Sequence, residues 1–267
     1  MHYLKFTLVL LVIIGAFSCA AKKGKEATVG VYYFDGWAGK NRHAEDSAQP
    51  WAKNAPTHLS KRMTEEFPGR EPIWGWRDDS MDIMEQQIDL AADNGVDFFL
   101  YCWYWKDNKG ALNEEAIKKD SKHTSLELYL KAKNKKRLKY SLLIANHGGA
   151  EIIGNENWAD AVRYWAQYFK DPQYVKVDGK PLVVIFGTGD NAINNEQLAK
   201  MQAVAKELGF KDGLAIAGCG GGAKEKEGFN YSTHYNVKPR HDGTSQQHTY
   251  AELIEANQNA WVGTEQQ

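Results

Sequence analysis

The sequence predicts an α/β fold, a (β/α)8 barrel of which about six strand–helix units can be counted. Short apolar runs rich in β-branched and aromatic residues alternate with segments of helical periodicity, which is typical of a parallel sheet. The first strand is not followed by the glycine pattern of doubly wound nucleotide-binding folds. Polar or aromatic residues end nearly every strand, and the sites of β/α barrels lie at those carboxyl ends.

The first strand is predicted over residues 28–35, TVGVYYFD, because this run is β-branched and aromatic and stops before a glycine. A long irregular stretch follows as far as Ile73. Loops of that length inside compact domains are usually functional or disordered, and the tryptophans of this stretch argue against disorder. A helix is predicted to begin at Ser80 and to stop at Asn94.

The second strand is predicted within residues 96–105, VDFFLYCWYW, a short run without helical spacing. Such a run is typical of a strand that is buried on both faces. Two interpretations of its terminal Trp103 and Trp105 are open. The indoles either close the end of a core, or they form a sugar-stacking wall at the mouth of the barrel, which their place at a strand end favours.

The later elements continue the alternation. The capping-box spacing of Thr124 and Glu127 predicts the start of one helix, and Asn157 is predicted to cap another. Further strands are predicted over residues 139–146, 181–186, 214–217 and 230–236, with a helix over residues 195–208.

The number of units is limited by the length of the chain. Beyond Asn236, 31 residues remain, and Thr249 and Glu252 form a second capping-box spacing before a helix that runs to Trp261. Each further strand–helix unit needs on the order of 30 residues. Two more units do not fit, so we expect a barrel that is incomplete at Gln267, in either a fragment or a truncated product.

The amino terminus predicts export. Lys5 precedes an apolar stretch over residues 6–17, which is shorter than the roughly 20 residues that cross a bilayer. Cys19 follows small residues as in a bacterial lipobox. We therefore expect a lipoprotein signal peptide over residues 1–19, a tether over 20–27, one barrel domain over 28–267, and a lipid anchor at Cys19 on the periplasmic or cell-surface side. Plain secretion and an uncleaved signal anchor are the alternatives.

The composition narrows the classes of partner. A net charge of −1 suggests neither nucleic acid nor a membrane surface. Nine tryptophans and thirteen tyrosines are typical of carbohydrate-binding proteins and of large cores alike. The eight histidines include no pair at i, i+4 with a carboxylate partner, so no metal and no cofactor are predicted. Cys102 and Cys219 are interpreted as small apolar residues, because two cysteines make no disulfide framework.

Candidate site residues come from the ends of different strands, as a barrel site requires. His147 is predicted to bind a hydroxyl group or to carry a proton, and a structural role in the rim is the alternative; His234 has the same two interpretations. Hydrolysis of a glycosidic bond needs two carboxyls. Asp35 is a weak candidate, since it and Asp190 are equally turn residues, and no convincing pair can be assembled. The full set is Asp35, Trp37, Trp103, Trp105, Asn146, His147, Asp190, His234 and Tyr235.

These landmarks together resemble the WbsX-like proteins related to glycoside hydrolase family 99. The resemblance extends from about Val29 to Trp261, and its most specific blocks are the Trp-Tyr-Trp and Ala-Asn-His sequences. The matching segments are residues 29–34 (VGVYYF), 74–76 (WGW), 81–84 (MDIM), 95–105 (GVDFFLYCWYW), 143–147 (LIANH) and 178–181 (DGKP).

The resemblance implies a (β/α)8 barrel that acts on glycans, with relatives that are endo-acting on α-mannosides and others labelled glycosyltransferases. Catalytic acids of the family come mainly from late strands, so their pair is expected beyond Gln267. We predict an exported glycoside hydrolase that uses acid/base catalysis without a cofactor. A glycosyltransferase for surface polysaccharide and an inactive glycan-binding remnant are the alternatives. The positions that carry over as substrate-binding are Tyr33, Trp103, Trp105, Asn146, His147, His234 and Tyr235, to which Trp37 is added from its strand end.

Overall fold

The computed structural model describes residues 27–105, 110–189, 192–220, 228–235, 249–255 and 258. A mainly parallel sheet lies at its centre, with the strand order β1-β2-β3-β5-β6-β7. The short β4 forms an antiparallel hairpin with β5, and all the other pairings are parallel. The strands are β1 (Gly30–Tyr33), β2 (Phe98–Trp103), β3 (Lys139–Ala145), β4 (Lys176–Val177), β5 (Lys180–Phe186), β6 (Ala215–Cys219) and β7 (Tyr231–Thr233).

Helices alternate with these strands along the described chain, as the sequence predicts. They are α1 (Lys61–Glu65), α2 (Met81–Asp93), α3 (Glu114–Lys119), α4 (Thr124–Lys131), α5 (Asn155–Phe169) and α6 (Asn195–Glu207). Short 3-10 segments cover Pro50–Ala52, Pro68–Arg70, Ser121–His123 and Lys135–Arg137. Among the described residues, no helix has the length and apolar character to cross a membrane.

The sheet curls as an incomplete barrel. The first and last strands of the sheet order approach each other across its inner face, where the hydroxyls of Tyr32 and Thr233 share a hydrogen bond of 3.1 Å. The ring of Tyr32 also lies 5.1 Å from that of Tyr235, which follows β7. A flat six-stranded sheet would keep these edges far apart, so the predicted barrel class with about six parallel strands is confirmed.

The two faces of the sheet alternate along β2, because successive side chains of a strand point to opposite sides. Phe99, Tyr101 and Trp103 pack outward into the core beneath the helices. Leu100 and Cys102 point into the concave face of the sheet. The inner face is completed by Tyr104, Leu143, Ala145, Ala150, Val184, Ala217 and Cys219.

The structure corrects two predicted helix caps, those at Thr124 and Asn157, whereas helices begin at Ser80 and Thr249 as predicted. Thr124 is the first residue of α4 rather than its cap, and the cap position is His123, which makes no side-chain bond there. Helix α5 begins after Gly154 at φ 88° instead of at Asn157. The capping box at Thr249 forms, since Glu252 N donates to Thr249 Oγ1 at 3.2 Å while Thr249 N donates to Glu252 Oε2 at 2.6 Å.

The first turn of α4 is capped from another part of the chain. Asp35 Oδ2 accepts a hydrogen bond of 2.7 Å from Ser125 N, and Asp35 Oδ1 accepts one of 2.9 Å from Ser125 Oγ. A carboxylate at a helix N-terminus satisfies an amide that has no partner within the helix and complements the helix dipole. Asp35, which lies two residues after the end of β1, therefore caps α4 in place of the predicted local capping box.

Several predictions lie outside the described residues. They are the signal peptide over 1–19 with its Cys19, the tether up to residue 26, Asp190, and the end of the last helix at Trp261.

Candidate functional site

A cavity of about 210 Å³ opens at the carboxyl ends of the strands, and we call it the mouth cavity. Its walls come from the ends of β1, β2, β3 and β5 and from the segment after β7, which is the convergence that a barrel site requires. The lining residues are Phe34, Cys102, Tyr104, Leu143, Ala145, His147, Phe186 and Tyr235.

Aromatic rings form the rim of the mouth cavity. Tyr235 is 37% exposed, and its ring packs 5.3 Å from that of Phe186. The imidazole of His147 packs edge-on against the ring of Phe186, with 4.9 Å between the ring centroids. Tyr104 carries the ammonium of Lys122 at 4.6 Å over its ring. The rim therefore combines apolar ring faces with hydroxyl and imidazole groups that can donate and accept hydrogen bonds.

The floor of the mouth cavity is small and apolar. Cys102 and Ala145 leave the space that larger side chains would fill. Both Cys102 and Cys219 are free and buried, and burial raises the pKa of the Cys102 thiol to about 12. The thiol consequently stays protonated and behaves as a small apolar group.

Asn146 and His147, predicted together, have different environments. Asn146 is buried; its Nδ2 donates to Ala192 O at 2.9 Å, and its Oδ1 accepts from Ile152 N at 2.9 Å. The Asn146 amide thus holds the loop after β3, and its contact with substrate stays a prediction. His147 is exposed next to it and lines the mouth cavity.

Trp103 and Trp105, which are predicted to contact sugar, do not line the mouth cavity. They are 0% and 2% exposed and belong to the core beneath the helices. Trp103 packs edge-on against Trp165 at 5.2 Å. The physical reason is the alternation of β2, which turns Cys102 and Tyr104 toward the cavity and the two indoles away from it.

Tyr33, which is also predicted to contact substrate, lies on the outer side of the sheet for the same reason. Its hydroxyl donates to Gln87 Oε1 at 2.7 Å, and its ring packs 4.8 Å from Tyr101. The inner position of β1 belongs to Tyr32. Sequence periodicity defines two faces of a strand, but it does not say which face is concave.

The remaining predicted residues are on the periphery. Trp37 is half-buried in the loop after β1, where its ring lies 5.3 Å from that of Trp76. His234 is exposed and is absent from the cavity lining, whereas its neighbour Tyr235 is part of it.

Three residues line the cavity although the sequence reasoning did not select them: Tyr104, Phe34 and Phe186. Alternation along β2 from the small residue Cys102 is the signal that could have identified Tyr104.

Two buried carboxyls lie behind β1. Asp35 is 2% exposed and Asp78 is 4% exposed. Burial, opposed by the Ser125 hydrogen bonds and assisted by nearby acids, raises the pKa of Asp35 to about 6. Burial and then the charge of Asp35 raise the pKa of Asp78 to about 7. Among the residues that can be described, none donates to Asp78 Oδ1. Asp35 does not line the mouth cavity, so the structure does not support it as a catalytic acid there.

The mouth cavity as described offers binding groups rather than a pair of acids. None of its eight lining residues is Asp or Glu. Within the described ranges, no three side chains of His, Cys, Asp or Glu come together as they would to hold a metal ion. Stacking on aromatic rings and hydrogen bonding to hydroxyl groups are what this arrangement can provide.

Sequence comparison matches residues 74–266 to the profile of the family described as Glycosyltransferase WbsX. No curated protein matches the chain.

Solved structures similar to the chain include a family 99 endo-α-mannosidase from Bacteroides thetaiotaomicron in complex with bis-tris-propane. It has 15% identity and a TM-score of 0.52, with 88% of this chain and 66% of that one covered. A glycoside hydrolase-like protein has 17% identity and a TM-score of 0.50, with 81% and 61% covered. A second structure of the Bacteroides enzyme has 16% identity and a TM-score of 0.46, with 72% and 55% covered. The chain thus spans between 55% and 66% of the lengths of these proteins, and at such identities the likeness to the first two shows a shared fold.

Proposed function

Because this chain belongs to the WbsX glycosyltransferase family, we propose that it acts on glycans and binds them at the mouth cavity. We further propose the activity of a glycoside hydrolase of the endo-α-mannosidase type, since the fold is shared with such an enzyme. The observation that carries the proposal is the mouth cavity itself, an aromatic recess at the carboxyl ends of parallel strands.

The chemistry of the rim supports a sugar as ligand. A sugar ring has apolar C–H faces, which match the exposed ring of Tyr235, and a belt of hydroxyls, which match the imidazole of His147. Ligand sites are mostly apolar with a few convergent polar groups, and the mouth cavity has this composition.

Bond cleavage requires more than these residues. Acid/base hydrolysis uses two carboxyls about 5–9.5 Å apart, and the described lining has none. We propose that the acids come from late-strand positions, as the family resemblance implies, and that Tyr235 and His147 hold the sugar beside them. No cofactor is required for this reaction.

The test is release of oligosaccharide from α-mannan, followed by mass spectrometry. We expect protein that includes those late-strand acids to release short oligosaccharides, and Tyr235→Ala to lower that release by about tenfold or more through loss of ring contact. Tyr231→Ala is the matched control, because Tyr231 is 45% exposed on β7 and does not line the cavity. Equal activity of the Tyr235 variant and wild type would place the substrate elsewhere.

A second candidate is glycan binding without cleavage, favoured by the absence of carboxylates from the described lining. Its signature is saturable binding of manno-oligosaccharide with no released product. The family name supports a third candidate, transfer of sugar from a nucleotide donor. Such donors are cytoplasmic, so this candidate conflicts with export.

We propose that the protein is exported and is held on a bacterial membrane by a lipid on Cys19, with no nucleic acid partner. The lipobox spacing before Cys19 supports this. Metabolic labelling with palmitate is expected to mark wild-type protein and not Cys19→Ser. Labelling of both to the same extent would contradict the anchor.

A further inference from the structure

A second cleft lies in the long loop between β1 and α1, and we call it the loop cleft. Its volume is about 600 Å³, within the range of about 300–1,000 Å³ that ligand sites usually have, whereas the mouth cavity is smaller than that range. It is lined by Asn41, Arg42, His43, Gln49, Trp51, Thr57, His58, Leu59, Ser60, Lys61 and Arg62.

The loop cleft adjoins the mouth cavity through one ring pair. Phe34 lines the mouth cavity and packs edge-on against His58 at 5.0 Å, and His58 lines the loop cleft. His58 N also donates to Gly36 O at 3.1 Å, which fixes this shared wall next to β1. An extended ligand at the mouth therefore has a neighbouring recess for its next units.

The loop that forms the cleft is held in place before any ligand binds. Buried Asn41 donates from Nδ2 to Pro56 O at 3.1 Å and to Leu59 O at 2.8 Å. Trp51 Nε1 donates to Gln49 Oε1 at 2.6 Å, which orients the half-buried indole. Because this wall is already ordered, ligand binding costs it little conformational entropy.

The charged side chains that line the loop cleft are all positive. Its lining includes the cations Arg42, Lys61 and Arg62 and no carboxylate. Lys61 and Arg62 pair with Glu65 and Glu66 at 3.7 and 2.7 Å, but all four side chains are more than half exposed, and such pairs are weak.

Arg42 differs from these two cations. Its Nε donates to His43 Nε2 at 2.9 Å, and among the described residues no carboxylate lies within ion-pair distance of it. The two terminal nitrogens of a guanidinium form a planar fork that suits a carboxylate or a sulfate group.

We propose that the loop cleft is a second subsite, which takes an acidic sugar unit of the same glycan. The anionic group pairs with Arg42, and the sugar ring lies against Trp51. This inference rests on the proposed function, because the neighbouring unit occupies the mouth cavity. The substrate class is then a glycan that carries carboxylate or sulfate groups.

The experiment is calorimetric titration of the full chain with three probes: an α-manno-oligosaccharide that carries one uronic acid unit, its methyl-esterified neutral form, and the same oligosaccharide with a sulfate group in place of the acid. We expect the acidic oligosaccharide to bind at least tenfold more tightly than its ester, and added salt to reduce the difference. The sulfated probe distinguishes a sulfate-binding site from a carboxylate-binding site. Arg42→Gln is expected to abolish the preference for acid while affinity for the ester is unchanged.

Matched variants separate the loop cleft from general effects. Arg163→Gln removes an arginine that pairs with Asp160 on α5, away from the cleft, and should preserve the preference. Trp51→Ala should weaken binding of acid and ester alike, whereas Trp74→Ala, outside both cavities, should not. Because Arg42 is exposed, its variants are expected to fold, and Arg42→Lys should keep part of the preference.

The outcomes distinguish the two proposals. If the ester binds as well as the acid, or if Arg42→Gln keeps the full preference, the acidic subsite is overturned while glycan binding at the mouth stands. If no probe binds and α-mannan oligosaccharide does not bind either, the proposed function fails and this inference fails with it.

Discussion

Asp35 and Asp78 are buried carboxyls behind β1, and hydrogen bonds compensate their burial to different extents. Burying a charged carboxylate is costly unless hydrogen bonds or opposite charges compensate. Asp35 receives two hydrogen bonds from Ser125. Asp78 Oδ1 has no donor among the described residues. Asp78 is therefore the carboxyl that holds its proton to higher pH.

This predicts that the protein loses stability as the pH rises toward neutrality. The folded chain holds the proton of Asp78 up to a pKa of about 7, whereas the ordinary pKa of an aspartate side chain is 3.8. The unfolded chain releases that proton first, so the stabilisation is fully present below about pH 4 and is lost as pH rises through about 7. Asp35, with a pKa of about 6, adds to the same slope.

Asp78→Asn should flatten this slope and raise the free energy of unfolding at pH 8 by roughly 1–2 kcal/mol, because the buried charge is removed. Urea unfolding at pH 5 and pH 8 measures the effect. Asp160→Asn, which changes an exposed ion-paired carboxylate, should leave the slope as it is. A variant of Asp78 that is less stable than wild type at pH 8 would contradict the assignment.

At the residue scale, the sequence identifies His147 and Tyr235 as lining residues but misplaces Tyr33, Trp103 and Trp105. The residue types were informative, since aromatics do form the rim. A single sequence does not show which alternate side chains of a strand face the inside of the barrel, because that depends on the direction in which the sheet curls. Asp78 was missed because it lies in the loop before the helix predicted to begin at Ser80 and is buried only by tertiary contacts.

At the scale of elements, the two sides of β2 have different roles. Its outer, aromatic side packs against the helices, and its inner side faces the site. Trp103 packs with Trp165, His123 and Tyr164 at ring distances of 5.2 to 6.0 Å. This cluster binds β2 to α5 and to the segment before α4. The cluster stabilises the fold as core contacts do, because the burial of aromatic rings dominates the free energy of such contacts.

Trp103→Phe should therefore lower stability and not glycan affinity. We expect a loss of roughly 1–3 kcal/mol in the free energy of unfolding, the range typical of core changes. Affinity for manno-oligosaccharide, measured where the variant is fully folded, should remain within twofold of wild type. A large loss of affinity with unchanged stability would restore the sugar-stacking interpretation of this indole.

Element types were predictable because the periods of strands and helices are local properties of the chain. The strand over 139–146 and the helix over 195–208 agree with β3 and α6 to within a residue. Helix starts were less predictable, because distant groups compete for the first-turn amides. The capping of α4 by Asp35 depends on a residue 90 positions away from Ser125.

At the scale of the whole molecule, the curl of the sheet creates the site. The hydrogen bond between Tyr32 and Thr233 joins β1 to β7 across the inner face, and Tyr235 then lies over the strand ends. The parallel order of six strands places all carboxyl ends at one edge. The mouth cavity thus depends on contacts between segments some 200 residues apart, which periodicity does not reveal.

The central claim is that a glycan binds at the mouth cavity. A crystal structure of the protein with an α-manno-oligosaccharide tests it most directly. We predict a sugar ring in contact with the face of Tyr235 and a sugar hydroxyl hydrogen-bonded to the imidazole of His147. A mouth cavity that remains free of sugar at saturating concentration, or a sugar bound only at a site away from the strand ends, would contradict the account.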